Sequence, residues 1–543
     1  MKTTRNFCLR RLLFLSAVAL AFPLQPASAS GNETGSGYLE SAIPNSSPLL
    51  ELQARCRHET SPGSGQFQVE EKTLRWDPKK TAIIICDMWD KHWCKGATER
   101  VAEMAPVMNR AISAARQRGV LIIHAPSDTM AFYKNFPQRK RTQQAPQAPA
   151  PANLTNWQSL DRSKEGPLPI DDSDGGCDCE TKCVTGNPWR SEISVLQIAP
   201  SDAVSDSGTE IYNLLQQDGI ENVIFMGVHA NMCVLGRPFG IRQMVRLGKN
   251  VVLMRDMTDT MYNSRMPPYV SHFRGTELVV EHIEKCWCPS ITSTAFTGES
   301  PFHFKADRRP KIVLVSAEPE YDSKDTLPAF AKSELEYRFG FPCTVVQSDI
   351  FTNIPGIEQL DQADLAILFI RRSVLPPKQF AVIQRYLNSG KPLVALRTSC
   401  HAFQNWLAFD GIVLGCHYTG HFADTAPRGS RFAEPPTYVR ILPEAEGNPI
   451  LTGIPRTEIR MAGTLYNISP LAPGTTPLLI GRSGDQKPEE LVAWTTYYHG
   501  ARVFFTTLGH PEDFNIEPFR RLLSNGILWA LDMPIVKIGR PPD

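Results

Sequence analysis

The sequence lacks a net charge of either sign. Its 57 lysine and arginine residues are balanced by 56 aspartate and glutamate residues, so the formal net charge is +1. A protein that binds nucleic acid or an anionic membrane through its overall electrostatic field needs a clear excess of positive charge. We therefore expect no nucleic-acid partner, and we predict a small-molecule substrate. The composition is compatible with an oligomer but does not specify one.

Long hydrophobic runs are also lacking after the first thirty residues. The chain begins with basic residues such as Lys2 and Arg5, continues with the apolar run "LLFLSAVALAF", and reaches "ASA" before residue 30. This order is typical of a secretory signal with a small-residue cleavage site. The alternative is an uncleaved anchor, but a run of about ten apolar residues is much shorter than the ~20 that span a bilayer. We predict a secreted or periplasmic protein that is not bound to the membrane after cleavage.

The cysteines lack the spacing of a structural zinc site. Of the thirteen cysteines, one lies in the predicted signal, and the remaining twelve are an even number compatible with disulfides. The clusters "CDCETKC" (177–183) and "CWC" (286–288) have no two-residue gap between cysteines. We interpret them as disulfides or thiols rather than zinc ligands, and we expect no metal and no cofactor.

Apolar runs alternate with amphipathic helical patterns twice along the chain. The first series includes "TAIIICDMWD", "VLIIHAP" and "NVIFMGV", and the second begins at "KIVLVSAEP". Continuous Ile, Val and Leu runs separated by helices indicate a parallel sheet covered on both faces. We predict an α/β protein with two doubly wound, mainly parallel-sheet domains, each a three-layer αβα sandwich.

The predicted boundaries follow these two series. They are a signal at 1–29, an N-terminal segment at 30–73, a first domain at 74–297, a linker at 298–310, and a second domain at 311–537. The first domain contains an insertion at about 131–190 that is rich in Pro, Gln, Ala and Asp. Its polarity and prolines favour a surface loop or a lid.

Two polar residues follow buried strands of the first domain. Ligands of open α/β sheets bind at the carboxyl ends of the strands, where Asp87 and Cys233 are expected. An aspartate and a cysteine can act as base and nucleophile, while turn amides hold an oxyanion, and we expect Asp87 and these amides to support the thiolate. Gly236 and Pro238 should interrupt the helix that begins at Cys233. The alternative is that Cys233 only fills the core, since cysteine is often buried.

Between residues 74 and 296 the sequence resembles the isochorismatase-like family of cysteine hydrolases. The resemblance rests on "IIICDMWD", "RGVLIIHAPSD", "DSGTEIYNLLQQDGIENVIFMGVHANMCV" and "GKNVVLMRDMTD". It implies that Asp87 is the general base, that Cys233 is the nucleophile, and that the N–H groups of His229 and Cys233 form the oxyanion hole. It also implies a cis peptide bond between Val228 and His229.

The sequence departs from the family pattern at the catalytic lysine. Gln197 stands in the region where the family carries that lysine, and Lys182 and Arg190 of the insertion are the candidates to supply a cation instead. The Asp-x-His metal pattern of nicotinamidases is not found after Asp87. His92 is interpreted as structural or substrate-facing.

Between residues 311 and 535 the sequence resembles the trehalose-utilisation (ThuA-like) family, which has a class I glutamine-amidotransferase-like fold. The resemblance rests on "GKPLVALRTSCHAF", "GCHYTGHF" and "GARVFFTTLGHPEDF". Arg397 stands at the elbow where amidotransferases have a nucleophilic cysteine, and Cys400 follows three residues later. An arginine cannot attack, but it can bind a carboxylate or a sugar hydroxyl. The predicted pocket residues, which the resemblance links to a carbohydrate ligand, are Arg397, His401, His417, His421 and His510.

Two functions follow from these observations. The first hypothesis is an exported hydrolase of a C–N amide-type bond that uses Cys233 and Asp87, joined to a ThuA-like domain that binds a sugar-like ligand. The alternative is a two-pocket binding protein that has lost turnover. The absent lysine and the arginine at the elbow favour this alternative.

Overall fold

The computed structural model describes residues 48–150, 153–427, 429–485, 489–535 and 539. The predicted signal at 1–29, residues 30 to 47 of the predicted N-terminal segment, and the last two residues of the predicted second domain lie outside the described residues. The chain divides into two compact units. The first consists of 1–169, 181–261 and 278–303, and the second of 170–180, 262–277 and 304–543. No helix among the described residues is both long enough and apolar enough to cross a membrane.

The first unit is built on an eight-stranded mixed sheet. Its strands are β1 Leu50–Glu59, β2 Phe67–Trp76, β3 Thr81–Cys86, β4 Leu121–Ala125, β5 Ala203–Val204, β6 Asn222–Val228, β7 Asn250–Asp259 and β8 Ser290–Ile291. The spatial order is β2-β1-β8-β7-β6-β3-β4-β5. The pairs from β8 to β5 are parallel, and β1 pairs antiparallel with both β2 and β8. Strands β3, β4 and β6 are buried along their whole length because layers cover both faces.

The helices of the first half of the chain are α1 Lys95–Gln117, α2 Met130–Tyr133, α3 Pro137–Gln144, α4 Gly208–Gln217, α5 Cys233–Gly236, α6 Ile241–Arg246, α7 His272–Cys286 and α8 Thr294–Thr297. Helix α4 begins at Ser207, whose hydroxyl accepts from the Glu210 N–H as an N-cap. Helix α1 buries one face, including Val101, Met104 and Met108. This periodicity of about four residues is the pattern that predicted the helix from sequence.

The second unit is built on a nine-stranded mixed sheet and a two-stranded ribbon. Its strands are β9 Ile312–Ala317, β10 Cys343–Gln347, β11 Leu365–Ile370, β12 Leu393–Leu396, β13 Gly420–His421, β14 Thr437–Ile441, β15 Ile459–Met461, β16 Tyr466–Asn467, β17 Thr476–Ser483, β18 Glu490–Tyr498 and β19 Ala501–Thr506. The main order is β10-β9-β11-β12-β19-β18-β17-β14-β15, and β13 pairs with β16. The pairs from β10 to β19 are parallel and the remainder are antiparallel.

The helices of the second unit are α9 Ser323–Phe330, α10 Tyr337–Phe339, α11 Pro377–Asn388 and α12 Glu517–Ala530, and a π-helical segment, Ala331–Glu336, joins α9 to α10. Their apolar faces and the sheet bury two clusters, one on each face, that include Phe504 and Ile527 on one side and Phe505 and Trp494 on the other. The predicted α/β class is therefore confirmed for both units, and each sheet has parallel strands that reach one edge and antiparallel strands at the other edge.

Part of the insertion is more ordered than its composition predicts. The sequence favoured a surface loop or lid at about 131–190, but α3 lies within it and has buried polar side chains. Arg139 pairs with Glu210, and the Thr142 hydroxyl donates to the Val204 carbonyl at 2.8 Å. The prediction of a loop was wrong for α3 because Arg139, Thr142 and the Gln138 amide N–H, which donates to the Ala199 carbonyl at 2.9 Å, have partners that offset most of the desolvation penalty.

A buried carboxylate fastens the later part of the insertion to the first unit. Glu165 accepts hydrogen bonds from Arg242 Nε at 2.7 Å, His282 Nε2 at 2.7 Å and Trp287 Nε1 at 2.8 Å. Burial alone would raise the pKa of Glu165, but the three donors outweigh it and lower the pKa to about 2. The ionised form is therefore the one that the folded protein stabilises.

We expect Glu165→Gln to reduce the free energy of unfolding of the first unit by about 3 kcal/mol at pH 7, which is the energy of the pKa shift. Since the folded pKa is lowered, this contribution is complete above the unfolded pKa of 4.5 and is lost as pH falls towards about 2. Urea unfolding followed by tryptophan fluorescence measures the free energy of unfolding at each pH. The difference in the free energy of unfolding between wild type and variant should fall by pH 3 to less than half of its value at pH 7.

The control is Glu299→Gln, which removes an exposed pair with Arg110 and should change stability by less than about 0.5 kcal/mol. A Glu165→Gln variant as stable as this control would contradict the assignment.

Candidate active site and candidate binding site

Asp87 lies at the carboxyl end of β3, at the start of the turn that follows. Its φ of +49° is in the left-handed region, which is uncommon for a non-glycine residue. The side chain is fully buried, and its Oδ1 accepts from the Ser127 N–H at 2.8 Å. Its Oδ2 accepts from Arg237 Nε at 3.0 Å. Both carboxylate oxygens therefore have donors, as a buried charge requires.

Cys233 begins α5 at the carboxyl end of β6, which is the parallel neighbour of β3. The negative charge of Asp87 raises the pKa of the Cys233 thiol, and the backbone N–H of His229 lowers it. The peptide bond between Val228 and His229 is cis, as the family resemblance implies. The close approach of β3 and β6 needs Gly227, since a Cβ there would lie 2.1 Å from the Cys86 carbonyl oxygen. The predicted pair of Asp87 and Cys233 is thus brought together.

The cation beside this pair is Arg237, which the sequence analysis did not single out. Pro238 favours an extended conformation in the residue before it, and Arg237 has φ −59° and ψ 154°. Helix α5 therefore ends after one turn, as predicted from Pro238. The Arg237 guanidinium pairs with Asp87 and lies 5.8 Å from the centre of the Trp157 ring. The signal that could have found it is a basic residue directly before a helix-breaking proline, four residues after the nucleophile.

The residues considered from sequence for the position of the family's catalytic lysine have other surroundings. Gln197 is exposed, and its carbonyl accepts from Arg116. Arg190 is also exposed, and its backbone N–H donates to Asp90 Oδ1 at 2.9 Å. The cation that pairs with Asp87 is Arg237, which lies outside the insertion.

The electrostatics correct the expectation that Asp87 supports a resting thiolate. Burial raises the pKa of the Cys233 thiol, and the negative charge of Asp87 raises this pKa further. Arg237 and the His229 N–H oppose these effects only in part. Cys233 is therefore a thiol at rest, which is the form from which a neighbouring base can take a proton.

Aromatic side chains surround His229. The His92 ring meets the His229 ring edge-on, with centroids 5.1 Å apart, and stacks on Trp189 at 5.8 Å. Trp189 in turn stacks on Trp89 at 4.3 Å. Burial and the charge of Arg100 lower the pKa of His92 to about 4, so this ring is neutral at physiological pH. His92 also caps the next turn, because its Nδ1 accepts from the Cys94 N–H at 3.1 Å.

In the second unit, Arg397 lies at the elbow after β12 with a φ of +40° and is almost completely buried. Its guanidinium lies between the rings of Tyr321 and Tyr466, 4.3 and 4.7 Å from their centres. It donates to the Thr507 carbonyl at 2.9 Å, and a Cβ at Gly463 would approach it to 2.8 Å. Arg397 therefore holds two tyrosines in place. Its Nη1 and Nη2 donors are used by the Thr464 and Thr507 carbonyls and the Tyr321 hydroxyl, while Nε has no hydrogen-bond partner among the described residues. The binding of a ligand by Arg397 stays a prediction.

Three of the predicted histidines lie around the same two tyrosines. His401 and His421 have ring centroids 6.1 and 6.3 Å from that of Tyr466, and His510 lies 6.0 Å from Tyr321. The fourth, His417, is exposed and is instead 4.0 Å from Asp410. The three histidines define the candidate binding site of this unit.

His401 is the best placed of these residues for hydrogen bonding with a ligand. Its ring stacks on Tyr418 with centroids 4.4 Å apart and is half-buried. Burial lowers the pKa of His401 to about 3, with further contributions from Arg372 and Arg371. A neutral imidazole can both donate and accept. Cys400 is buried beneath it and donates to the Arg397 carbonyl at 3.2 Å, as expected for a residue past the elbow.

Comparison with known protein families identifies most of the second unit. Residues 311–530 match the family model described as ThuA, trehalose utilisation. The match begins one residue before β9 and ends at the last residue of α12. No curated protein matches the chain.

Solved structures match each part of the chain. A ThuA-like protein from Bacteroides uniformis is 17% identical, with 45% of this chain and 99% of that chain covered and a TM-score of 0.33. A cysteine hydrolase from Pseudomonas syringae is 19% identical, with 41% and 93% covered and a TM-score of 0.26. An isochorismatase family protein from Burkholderia thailandensis is 13% identical, with 40% and 95% covered and a TM-score of 0.24.

We expect iodoacetamide to modify Cys233 slowly at pH 7 and faster only in the alkaline range, because alkylation needs the thiolate. Asp87→Asn removes the charge that raises the pKa of Cys233 and should speed modification at pH 8 about tenfold, which corresponds to one pKa unit. Arg237→Gln should slow it. Mass spectrometry of tryptic peptides measures the rate at each site.

Cys286 is the matched control thiol, since it is also half-buried and burial raises its pKa to about 11. Its rate should be the same in all three proteins. Rapid modification of wild-type Cys233 at pH 7, unchanged in Asp87→Asn, would contradict a resting thiol.

Proposed function

We propose that this protein is an exported hydrolase of a C–N amide-type bond, with Cys233 as nucleophile and Asp87 as general base. The observation that carries the proposal is the buried Asp87 carboxylate, which is ion-paired with Arg237 and lies at the carboxyl end of the strand next to the one that leads to Cys233. A core-filling cysteine needs neither a charged neighbour nor the second charge that neutralises it. Export is proposed from the signal-like pattern of residues 1–29.

The reaction begins with transfer of the thiol proton from Cys233 to Asp87 as the sulfur attacks the carbonyl carbon. The negative charge then moves from the carboxylate to the carbonyl oxygen. The N–H groups of His229 and Cys233 are the proposed donors to this oxyanion. Arg237 remains paired with Asp87 and fixes its orientation, so Arg237 is a positioning residue that does not touch the substrate.

Collapse of the intermediate completes the cycle. Protonated Asp87 gives its proton to the leaving nitrogen, the C–N bond breaks, and a thioester on Cys233 remains. Asp87 then accepts a proton from water while the water oxygen attacks the thioester. The C–S bond breaks, the acid leaves, and protonated Asp87 returns its proton to the sulfur, which restores the thiol. The net reaction consumes one amide and one water and releases one amine and one acid.

Cys233→Ala and Asp87→Asn should each reduce kcat/KM for amide hydrolysis by about a thousandfold or more, because each removes an essential member of one unit. The double variant should be no slower than either single variant. Arg237→Gln should reduce kcat/KM by about ten- to a hundredfold and shift the pH dependence of kcat/KM, since it changes the charge beside the base. Release of ammonia or amine from a panel of small amides is the measurement.

Cys286→Ala is the control and should retain full activity. If no amide is turned over while wild type and Cys233→Ala bind a ligand equally well, the two-pocket binding protein is the correct function.

For the second unit we propose binding of a sugar-like ligand, in line with the trehalose-utilisation family that it matches. The candidate site combines tyrosine rings with neutral His401, and aromatic faces with hydrogen-bonding groups suit a polyhydroxyl compound. Arg372 adds an exposed guanidinium whose charge acts on His401. A carboxylate on the sugar would gain a charge-assisted hydrogen bond from it.

Titration calorimetry of the full chain with neutral sugars and sugar acids tests this assignment. His401→Ala should weaken both ligand types about tenfold or more, while Arg372→Gln should weaken only the sugar acids by about tenfold. His417→Ala is the control and should bind as wild type does. Equal losses in His417→Ala and His401→Ala, or no binding by any sugar, would exclude this site.

A further inference from the structure

The hairpin of β1 and β2 brings three metal-ligating side chains together, away from the proposed catalytic residues in sequence. The register places Cys56 directly opposite Glu70. His58 follows Cys56 by two residues and therefore projects from the same face of β1. Cys56 Sγ lies 3.1 Å from His58 Nε2 and 3.7 Å from Glu70 Oε2, and the last two atoms are 2.5 Å apart.

These separations suit a single tetrahedral ion. Zinc binds thiolate at about 2.3 Å and imidazole or carboxylate at about 2.0–2.2 Å, which places the ligand atoms of a tetrahedron roughly 3.3–3.7 Å apart. The two distances from sulfur are close to this range. The shorter contact between His58 and Glu70 is a hydrogen bond, and rotation of the Glu70 side chain, which is half exposed, can widen it.

The neighbouring charges do not oppose a cation. Arg55 and Arg57 alternate with Cys56 and His58 along β1, so they project from the opposite face. There Arg55 Nε pairs with Glu284 at 2.8 Å, and Arg57 pairs with Glu284 and Glu281. A thiolate and a carboxylate together neutralise a divalent ion, and a donor set of sulfur, imidazole nitrogen and carboxylate oxygen favours zinc over magnesium or calcium.

We propose that Cys56, His58 and Glu70 bind one zinc ion, with water as the fourth ligand. Binding displaces the thiol proton and replaces the hydrogen bond between His58 and Glu70 with two metal bonds. The ion then links β1 to β2 through their side chains. The expectation of no metal came from the spacing of the cysteines and from the missing Asp-x-His pattern after Asp87, whereas these ligands come from two strands and include one cysteine only.

The full chain, stripped with a chelator and kept reduced, is titrated with cobalt(II) as a spectroscopic substitute for zinc. Wild type should develop a thiolate-to-cobalt charge-transfer band that zinc abolishes. Cys56→Ser should lose one equivalent of bound metal and this part of the band. His58→Gln and Glu70→Gln should weaken the affinity at least about tenfold while keeping the native circular dichroism spectrum.

Cys343→Ser, which removes a half-buried thiol of the second unit, is the matched control and should keep the stoichiometry of wild type. Zinc should also raise the melting temperature of wild type more than that of Glu70→Gln, because it binds only the folded hairpin. Glu70 is exposed, so this variant keeps the comparison valid if Cys56→Ser does not fold. Identical stoichiometry and affinity in wild type and in the His58→Gln and Glu70→Gln variants, or no metal bound by wild type, would overturn the proposal.

Discussion

The need to neutralise one buried charge organises the first unit around Asp87. A carboxylate with no exposed surface is tolerated only when its oxygens have donors and its charge has a partner. Ser127 supplies one donor from the turn after β4, and Arg237 supplies the other together with the charge. Three segments that are distant in sequence are thereby held at the carboxyl ends of neighbouring strands. The position of the Cys233 thiol beside this carboxylate follows from the same arrangement.

The second unit also has a buried charge directly after a parallel strand, but this charge is stabilised in a different way. Arg397, like Asp87, has a positive φ directly after a central strand, but its guanidinium lies between two tyrosine rings and donates to backbone carbonyls. Cation–π contacts and hydrogen bonds to the main chain stabilise a guanidinium without an adjacent carboxylate. The elbow of this unit therefore supports the walls of its candidate site, whereas the strand end at Asp87 supplies a reactive group.

The apolar strands could be predicted from sequence because burial on both faces gives continuous runs such as "TAIIIC" and "LAILFI". The pairing of Asp87 with Cys233 followed from the family resemblance. Arg237 did not, because the family pattern directs attention to a lysine upstream of β5. Nor could the burial of Arg397 be predicted, since Tyr321 and Tyr466 lie far from it in sequence and only the fold brings them to either side.

The β1–β2 hairpin and α3 show a second limit of the sequence analysis. The alternation of β1 is visible in "LELQARCRHE", where every second side chain from Leu50 to Cys56 is buried. The register of β1 with β2, however, decides which side chains of the two strands come together, and the sequence of neither strand specifies that register. The sequence of helix α3 is polar, and it does not show that the partners of its buried polar side chains lie on α4 and β5. In both places the sequence shows a polar side chain but not the partner that makes its position favourable.

The raised pKa of Cys233 has a consequence for the export that we propose. A thiol that is largely protonated reacts slowly with oxidants and electrophiles, since the thiolate is the reactive species. In the proposed mechanism the thiolate forms only as the sulfur attacks a carbonyl, when Asp87 takes the proton and the negative charge reaches the backbone N–H donors. Arg237 supports this step because it pairs with the buried Asp87 side chain and holds the proposed base in one position.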